Sequence, residues 1–478
     1  MNNNIIDKIK EIKKAQNEIS VREIINDKNE FYILYLNQIT DKSNLADNVI
    51  KPLVQNIEKK ILTIEEVKNN IIFAVEILIK DNEDEIIGYV REGFSVIISS
   101  KEKKYLAVDL HKVEKRGIQQ PELDTTLRGP KDSFTENFDD NLSLICYRIK
   151  DKNLKIDDFT VGERTKTKLA LIYIKDIANP KYINEVKNRI KEIDIDGVFE
   201  SGYVSRLMLK GQNKLFPLVG IVERSELACQ NIIQGKMIIL VEGSNLALVL
   251  PKTFIEFFDA GEDHYGSSYF AVFSKLLRIL AILISLTSSA FYIAIVSFHP
   301  SVLPAKYILS IAMSRGRVPF NALLEAMLME LVAEILREGS IRLPKQIGPA
   351  IGIVGTIVIG QAAVSAGLVS PLMVIIVSLS ILCSFVVPDY TIMNSFRILK
   401  FLMMALTGIF GLFGFVVGIT FITLNLCSLT SFGVPYVAPL SPFNGTDLKN
   451  FMYSDIVKDN KRPEYLNTID KTRQKKKN

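Results

Sequence analysis

The sequence predicts a soluble α/β N-terminal region of two lobes, followed by an all-α multi-pass membrane domain of about four to five helices. The strongest indication is an uncharged run at residues 347–387 that is crowded with Gly, Ala, Val and Ile. About 20 apolar residues are enough for a helix to cross a bilayer, and this run holds roughly two such lengths. Residues 1–265, by contrast, are rich in Lys, Glu and Asp. The charged half is therefore predicted to lie in water and the uncharged part in lipid.

The charged half is predicted to divide into three segments. Residues 1–45 are a polar N-terminal extension, and residues 46–140 are a first α/β lobe with its connector, containing the strand-like runs EIIGYV, FSVIIS and KYLAVDL. Residues 141–265 are a second α/β lobe, in which strand patterns such as LALIYI alternate with helical patterns such as SELACQNIIQG. The runs MIILVEG and LALVLP are predicted to pair as antiparallel strands. Such alternation indicates a sheet covered by helices.

Residues 270–430 are predicted to be the transmembrane domain, with four crossings. The crossings are predicted at residues 278–298, 347–367, 371–387 and 401–426. An even number of crossings places both ends of the chain on one side of the membrane. The lobes and the basic C-terminal tail, residues 431–478, both carry many Lys and Arg side chains, and the bias of positive charge toward the cytoplasm places both there. The N-terminus lacks the apolar core of a secretory signal, which agrees with cytoplasmic lobes.

One segment, residues 318–336, is long enough to cross but carries several carboxylates. At 100° per residue its polar side chains, such as Glu330 and Glu334, lie opposite a row of leucines. We therefore expect an amphipathic helix that is interfacial or re-entrant, with a fifth crossing as the alternative. Glu325 is an exception because it lies within the apolar arc. Either an ion pair with a nearby arginine or a cation-attracting vestibule would account for a carboxylate there.

Two predicted membrane helices carry rows of glycine. Small residues at such spacing allow helix backbones to approach closely in lipid, where no hydrophobic effect drives association. Packing within one subunit and packing between subunits of a ring both fit these rows. The helix-packing candidates are Gly348, Gly352, Gly355, Gly408, Gly411, Gly414 and Gly418.

The other face of the second crossing carries Val354, Val358, Gln361 and Ser365. One interpretation is a hydrogen bond between helices through Gln361. The other is a pore wall, in which rings of valine form a hydrophobic gate and Gln361 and Ser365 solvate ions. With Glu325, these four residues are the candidates for lining a pore.

Composition and motifs argue against several functions. The net charge of +5 is small, and no basic patch with interleaved aromatic residues suggests a nucleic-acid partner. The four cysteines are far apart and the three histidines are isolated, so neither a disulfide framework nor a metal site is expected. No nucleotide-binding or catalytic motif is found. We expect neither an enzyme nor a bound cofactor.

A long, ordered series of motifs resembles a known family. The series runs from about residue 85 to the C-terminal tail. It includes LRGPKDSFTEN (127–137), IDIDGVFESGY (193–203), SFHPSVLP (297–304), SRGRVPFNALLEAMLMELVAEILREGSIRLPKQIG (314–348), IVGTIVIGQAAVSAGLVSP (353–371) and SFGVPYVAPLSP (431–442). These stretches resemble the A subunits of GerA-type spore germination receptors. Glu223-Arg224-Ser225 departs from the Glu-Arg-Pro of that family, and the first eighty residues carry no firm match.

The resemblance implies a multi-pass subunit of a nutrient-sensing complex in the inner membrane of a bacterial endospore. Its expected partners are a transporter-like B subunit, a lipid-anchored C subunit and further copies of itself. It further implies an oligomeric, ligand-gated cation channel whose opening starts germination. In such a channel we expect the second crossing to line the pathway, with Val354 and Val358 at the constriction. Two alternatives remain: a related accessory subunit of the spore dipicolinate-release machinery, and a non-conducting scaffold for receptor assembly.

Overall fold

The computed structural model describes residues 19–26, 28–57, 61–74, 77–91, 93–110, 121, 129–209, 215–341, 348–455 and 460–473. Its first part is a pair of sheets with helices between and around them, and its second part is a bundle of apolar helices. The division between an α/β region and a helical region is therefore as the sequence predicts.

The first sheet has five antiparallel strands in the order β1-β2-β4-β5-β3. The strands are β1 (Ile19–Ile25), β2 (Glu30–Leu36), β3 (Ile77–Lys80), β4 (Phe94–Ser99) and β5 (Tyr105–Asp109). Its helices are α1 (Lys42–Leu45), α2 (Lys51–Asn56), α3 (Ile64–Asn70) and α4 (Ile86–Arg91). The lobe thus begins inside the segment that was predicted to be a polar extension, because β1 and β2 pair as a hairpin.

The second sheet is also antiparallel, in the order β6-β7-β9-β10-β8. The strands are β6 (Leu154–Val161), β7 (Thr167–Ile174), β8 (Gly220–Val222), β9 (Met237–Val241) and β10 (Ala247–Leu250). Its helices are α5 (Phe138–Arg148), α6 (Pro180–Lys191), α7 (Ser201–Met208) and α8 (Ser225–Ile233). The pairing of β9 with β10 confirms the predicted antiparallel pair.

The two lobes share a hydrophobic core. Along β7, Ala170 and Ile172 face α5 and α8, together with Leu34 and Val96 of the first sheet. Leu169 and Leu171 of the same strand face the opposite way, toward α6 and α7. This alternation follows from the two-residue period of a strand. Because both faces of β7 are covered, its sequence is an almost continuous apolar run.

The helical part starts directly after the second lobe. Its helices are α9 (Ser268–Ile293), α10 (Ala305–Arg315), α11 (Ala322–Ile341), α12 (Gly348–Ser365), α13 (Pro371–Ser384), α14 (Tyr390–Ser428) and α15 (Gly445–Tyr453). Among the described residues, two helical stretches are long and apolar enough to cross a membrane, Ser268–Phe298 and Tyr390–Ser428, and α13 is a shorter apolar helix.

Helix α14 folds back on itself at Gly411. This residue has φ 61° and ψ −141°, a backbone conformation that is essentially restricted to glycine. A Cβ atom on Gly414 would overlap the carbonyl group of Leu406, and one on Gly418 would overlap the side chain of Met403. In a straight helix, residues 403 and 418 would be about 22 Å apart along the axis. The single rod predicted at residues 401–426 is therefore wrong, since α14 consists of two antiparallel arms.

The contacts fix the direction of each helix. Helix α9 runs from the lobe end of the bundle, where Arg278 meets Asp263, to the far end, where Phe298 meets Gly411. Helix α11 returns, with Leu323 near Gly408 at the far end. Helix α12 runs from the lobe end to the far end and helix α13 runs back to the lobe end. The two arms of α14 do the same. Within the described residues, the chain therefore traverses the bundle six times, and α10 lies at the far end.

The C-terminal segment lies against the second lobe as far as residue 473. Ser431 donates a hydrogen bond to the carbonyl oxygen of Leu218 at 2.7 Å, and the guanidinium of Arg462 donates to that of Ile233 at 2.8 Å. The backbone N–H of Ile469 donates to the carbonyl oxygen of Ile177 at 2.9 Å. What was predicted to be a basic tail is thus largely a folded strap, and its final lysines lie outside the described residues.

Candidate functional site

The candidate pore-lining face of α12 is exposed in the single chain. Val354 is 56% exposed and Val358 58% exposed, and Gln361 and Ser365 are exposed on the same side. The hydroxyl of Ser365 donates a hydrogen bond to the carbonyl oxygen of Gln361 at 3.0 Å. This face is uncharged, and the described part of the subunit leaves its apolar and weakly polar side chains uncovered.

Another side of α12 holds the helix in the bundle. A Cβ on Gly360 would come within 2.7 Å of Val374 in α13, and one on Gly355 would lie 3.5 Å from Leu336 in α11. On α14, a Cβ on Gly408 would come within 2.5 Å of Leu323. These glycines therefore pack against helices of the same chain. The surroundings of Gly348 and Gly352 lie outside the described part of α12.

Glu325 lies inside the bundle rather than on the exposed face of α12. Its carboxylate accepts hydrogen bonds from the backbone N–H of Ser370 at 2.7 Å and from the Ser370 hydroxyl at 2.5 Å. The hydroxyl of Tyr292 is 3.1 Å from the same Ser370 oxygen, and Arg315 Nε is 3.5 Å from the second carboxylate oxygen. A buried carboxylate needs such partners. This group ties α11 to the turn between α12 and α13.

Two further carboxylates of α11 pair with cations of α14. Glu330 is fully buried and accepts from Lys400 Nζ at 2.6 Å and from the Ser289 hydroxyl at 2.7 Å. One turn along, Glu334 accepts from Arg397 Nε at 2.8 Å. Lys400 Nζ lies 4.0 Å from Glu334 as well. The carboxylates therefore form a ladder that joins α11 to the first arm of α14.

The orientation of α11 is the reverse of the one predicted. Its carboxylate face points into the bundle, whereas Leu328, Leu331 and Ile335 are exposed, the last by 62%. Helical periodicity separates two faces but does not say which one meets the solvent. When the surroundings are lipid, the apolar face turns outward and the charged face turns toward protein partners. An interfacial helix with its carboxylates in water is therefore not what this chain forms.

Charged side chains also join the bundle to the second lobe. Asp259 Oδ1 lies 2.7 Å from Lys275 Nζ, and Asp259 Oδ2 lies 2.9 Å from His264 Nε2. The negative charge of Asp259 raises the pKa of His264. Burial by itself would raise the pKa of Asp259, but the charges of His264 and Lys275 outweigh it and lower that pKa. Lys275 also donates to the carbonyl oxygen of Phe451 at 2.6 Å, which ties in α15.

A cavity of about 520 Å³ opens at this junction. It lies between the second lobe, the start of α9, the turn from α13 to α14 and the C-terminal strap. The charged groups that line it are largely paired with one another; Lys236 Nζ, for example, lies 2.6 Å from Glu256 Oε1. Its lining includes Lys236, Glu256, Asp259, His264, Lys275, Asp389 and Phe451.

No group of His, Cys, Asp or Glu side chains within the described residues is placed to hold a metal ion. Cys146, Cys229 and Cys383 are buried free thiols and Cys427 is an exposed one. What the described residues do assemble is two sheet-based lobes, a junction of ion pairs and a bundle of apolar helices. These features are typical of a membrane-associated protein.

The chain belongs to the GerA family, the Bacillus/Clostridium GerA spore germination proteins, whose sequence profile matches residues 7–465. It is 35% identical to spore germination protein KA of Bacillus subtilis (strain 168), over 99% of this chain and 88% of that protein. It is 32% identical to spore germination protein GerLA of Bacillus cereus, over 98% of this chain and 97% of that protein. The resemblance to the GerA family is thereby confirmed.

Among solved structures, the chain is also similar to the N-terminal domain of the A subunit of the Bacillus megaterium spore germinant receptor GerK3. The alignment covers 52% of this chain and 94% of that domain, with 25% identity and a TM-score of 0.37.

Proposed function

We propose that this chain is the A subunit of a nutrient germinant receptor in the inner membrane of a bacterial endospore. Its support is the family membership and the likeness to spore germination proteins along nearly the whole chain. In this proposal the subunit works with a transporter-like B subunit and a lipid-anchored C subunit. Several copies form a gated cation channel whose opening starts germination.

The exposed face of α12 is the observation that carries the channel proposal. In a ring of subunits this face lines a central path, with Val354 and Val358 as the hydrophobic constriction. Gln361 and Ser365 follow within one to two turns and supply oxygens to passing ions. From Val354 to Ser365 the face extends about 16 Å along the axis, roughly half the hydrocarbon thickness of a bilayer.

Helix lengths agree with a membrane placement of the bundle. The first arm of α14, residues 390–410, is about 31 Å long and the second arm, residues 412–428, about 26 Å, against a hydrocarbon layer of about 30 Å. Six traversals form an even number, so the lobes and the C-terminal strap lie on the same side. In this proposal that side is the cytoplasm.

Reconstitution with a matched pair of variants tests the channel. Val358→Ser hydrates the constriction and is expected to raise the ion leak of proteoliposomes and to make spores germinate prematurely. Val416→Ser makes the same change at a valine that is 59% exposed on the second arm of α14. Because the proposal gives Val416 no place on the path, its leak is expected to match the unchanged protein.

The experiment also separates the channel from a scaffold. The purified protein is measured in planar bilayers, alone and together with the B and C partners plus nutrient. A conductance that rises with nutrient supports the channel. If neither condition conducts, and Val358→Ser behaves as Val416→Ser does, the chain is a non-conducting scaffold.

A further inference from the structure

Helix α10 is only slightly covered by the described part of the subunit. It is 11 residues long and none of its residues is buried. Isolated helices shorter than about 12–15 residues are marginal in water, so most helices in proteins depend on burying an apolar face. Something other than the described residues must therefore cover part of α10.

The helix presents different side chains to different surroundings. Ile308 and Ile311 are half-buried against the protein. Leu309 and Met313 are 66% and 74% exposed, on an adjoining face. Lys306 and Ser310 are one turn apart on the side next to Met313, so an exposed apolar strip borders a polar strip. This arrangement is typical of helices that lie along a membrane surface.

The charged side chains around α10 are basic. Between Asp263 and Glu325 the sequence has no acidic residue, while the far-end segment carries Lys306, Arg315 and Arg317. Arg315 is directed toward Glu325, whereas Lys306 and Arg317 are exposed. Basic side chains beside an apolar strip are complementary to anionic phosphate groups above acyl chains.

We propose that α10 lies in the bilayer interface on the side opposite the lobes, where Lys306 and Arg317 bind the phosphate groups of anionic phospholipids. Leu309 and Met313 then enter the upper acyl region. Through Arg315 and Glu325 the helix contacts Ser370, so the bound lipid is linked to the turn that ends α12. This inference rests on the membrane placement proposed above.

The absence of tryptophan from the sequence makes depth measurable. Met313→Trp, Ser310→Trp and Phe421→Trp each give the full-length protein one fluorophore in liposomes. Phe421 is about 15 Å from the tip of the α14 hairpin, near the expected midplane. We expect Met313→Trp to be quenched mainly by lipids brominated near the headgroup, Phe421→Trp by deeply brominated lipids, and Ser310→Trp by aqueous acrylamide.

The charge is tested in the Met313→Trp background by energy transfer to pyrene-labelled lipids. The anionic phosphatidylglycerol probe is expected to associate more strongly than the zwitterionic phosphatidylcholine probe. Lys306→Gln with Arg317→Gln should reduce this preference, by up to about fivefold for each side chain. Lys150→Gln with Lys152→Gln removes the same charge from the second lobe and should leave the preference unchanged.

Three results would overturn the proposal. The first is that brominated lipids fail to quench Met313→Trp although they quench Phe421→Trp. The proposed membrane placement would survive that result, but the interfacial position of α10 would not. The second is that neither brominated lipid nor acrylamide quenches Met313→Trp, which means that a second protein surface covers α10. The third is a lipid preference that persists without Lys306 and Arg317. If Phe421→Trp itself escapes quenching, the proposed membrane placement fails and this inference fails with it.

Discussion

Replacing Gly411 by alanine tests the hairpin in α14 directly. A side chain at φ 61° and ψ −141° costs about 1–3 kcal/mol of backbone strain. The new Cβ would also lie 2.9 Å from Cγ of Phe298, and overpacking of this kind costs another ~1–3 kcal/mol. We therefore expect Gly411→Ala to lower the free energy of unfolding by about 2–6 kcal/mol.

Gly339→Ala is the matched control. Gly339 lies within α11, and a Cβ there would have no neighbour within 4 Å. In a regular helix the change to alanine should stabilise the protein by about 0.5–1 kcal/mol, because alanine loses less backbone freedom on folding. The two variants thus move stability in opposite directions, although their chemistry is the same.

Both variants are compared with the unchanged protein by thermal and denaturant unfolding in the same lipid–detergent micelles. The hairpin requires a lower midpoint for Gly411→Ala and an unchanged or higher one for Gly339→Ala. If Gly411→Ala is as stable as the control variant, the residue occupies an ordinary helical conformation. The antiparallel arms, and the count of six traversals that depends on them, would then be wrong.

Three further predictions follow from the same contacts. A cysteine replacing Phe410, at the hairpin tip, is expected to react with a membrane-impermeant maleimide from the side opposite the lobes, whereas a single crossing would keep it unlabelled in mid-membrane. Lys400→Met should cost about 3–5 kcal/mol, because it leaves Glu330 buried without its cation, and the double variant Glu330→Gln/Lys400→Met should be more stable than Lys400→Met alone; equal stabilities would contradict the pairing. His264 has a raised pKa in the folded protein, so its contribution to stability is complete below its unfolded pKa of about 6.5 and is lost as the pH rises through the higher folded value. The unfolding midpoint should therefore fall over that range in the unchanged protein but not in His264→Asn, and parallel pH profiles would refute this.

The division into lobes and helices could be predicted because it depends on solvent. A long run of residues without charge is typical of a membrane segment, and strands with both faces covered leave continuous apolar runs such as β7. The sequence of the predicted polar extension does not show that it belongs to the first lobe. Its strand β1 has exposed Arg22 and Glu23 on an edge, so only the pairing with β2 reveals that it belongs to the lobe.

The two errors in the helical part have separate physical causes. A break at one glycine carries no local signal, because Gly411 is one of four glycines at similar spacing in α14. The backbone angles of Gly411 and the contacts of Gly414 and Gly418 with the first arm distinguish a turn from a packing face. The face of α11 was inverted because its cations, Lys400 and Arg397, lie about seventy residues away in the sequence. Long-range pairing of this kind is invisible to a periodicity argument. Each error adds one traversal, so the count stays even and the lobes and the C-terminal strap remain at the same end of the bundle.

Charged side chains join helices α11 and α14 into a fixed frame, whereas α12 takes no part in these ion pairs. Helices α11 and α14 are joined by the pairs of Glu330 and Glu334 with Lys400 and Arg397, and breaking such buried pairs is costly. Helix α12 holds no charged side chain, and it meets its neighbours through Gly355 and Gly360. A rotation of α12 would therefore break no ion pair of its own side chains. Its C-terminal turn is joined to α11 through Glu325 and Ser370, so we expect the conformational change that opens the proposed path to be a movement of α12 against this fixed frame.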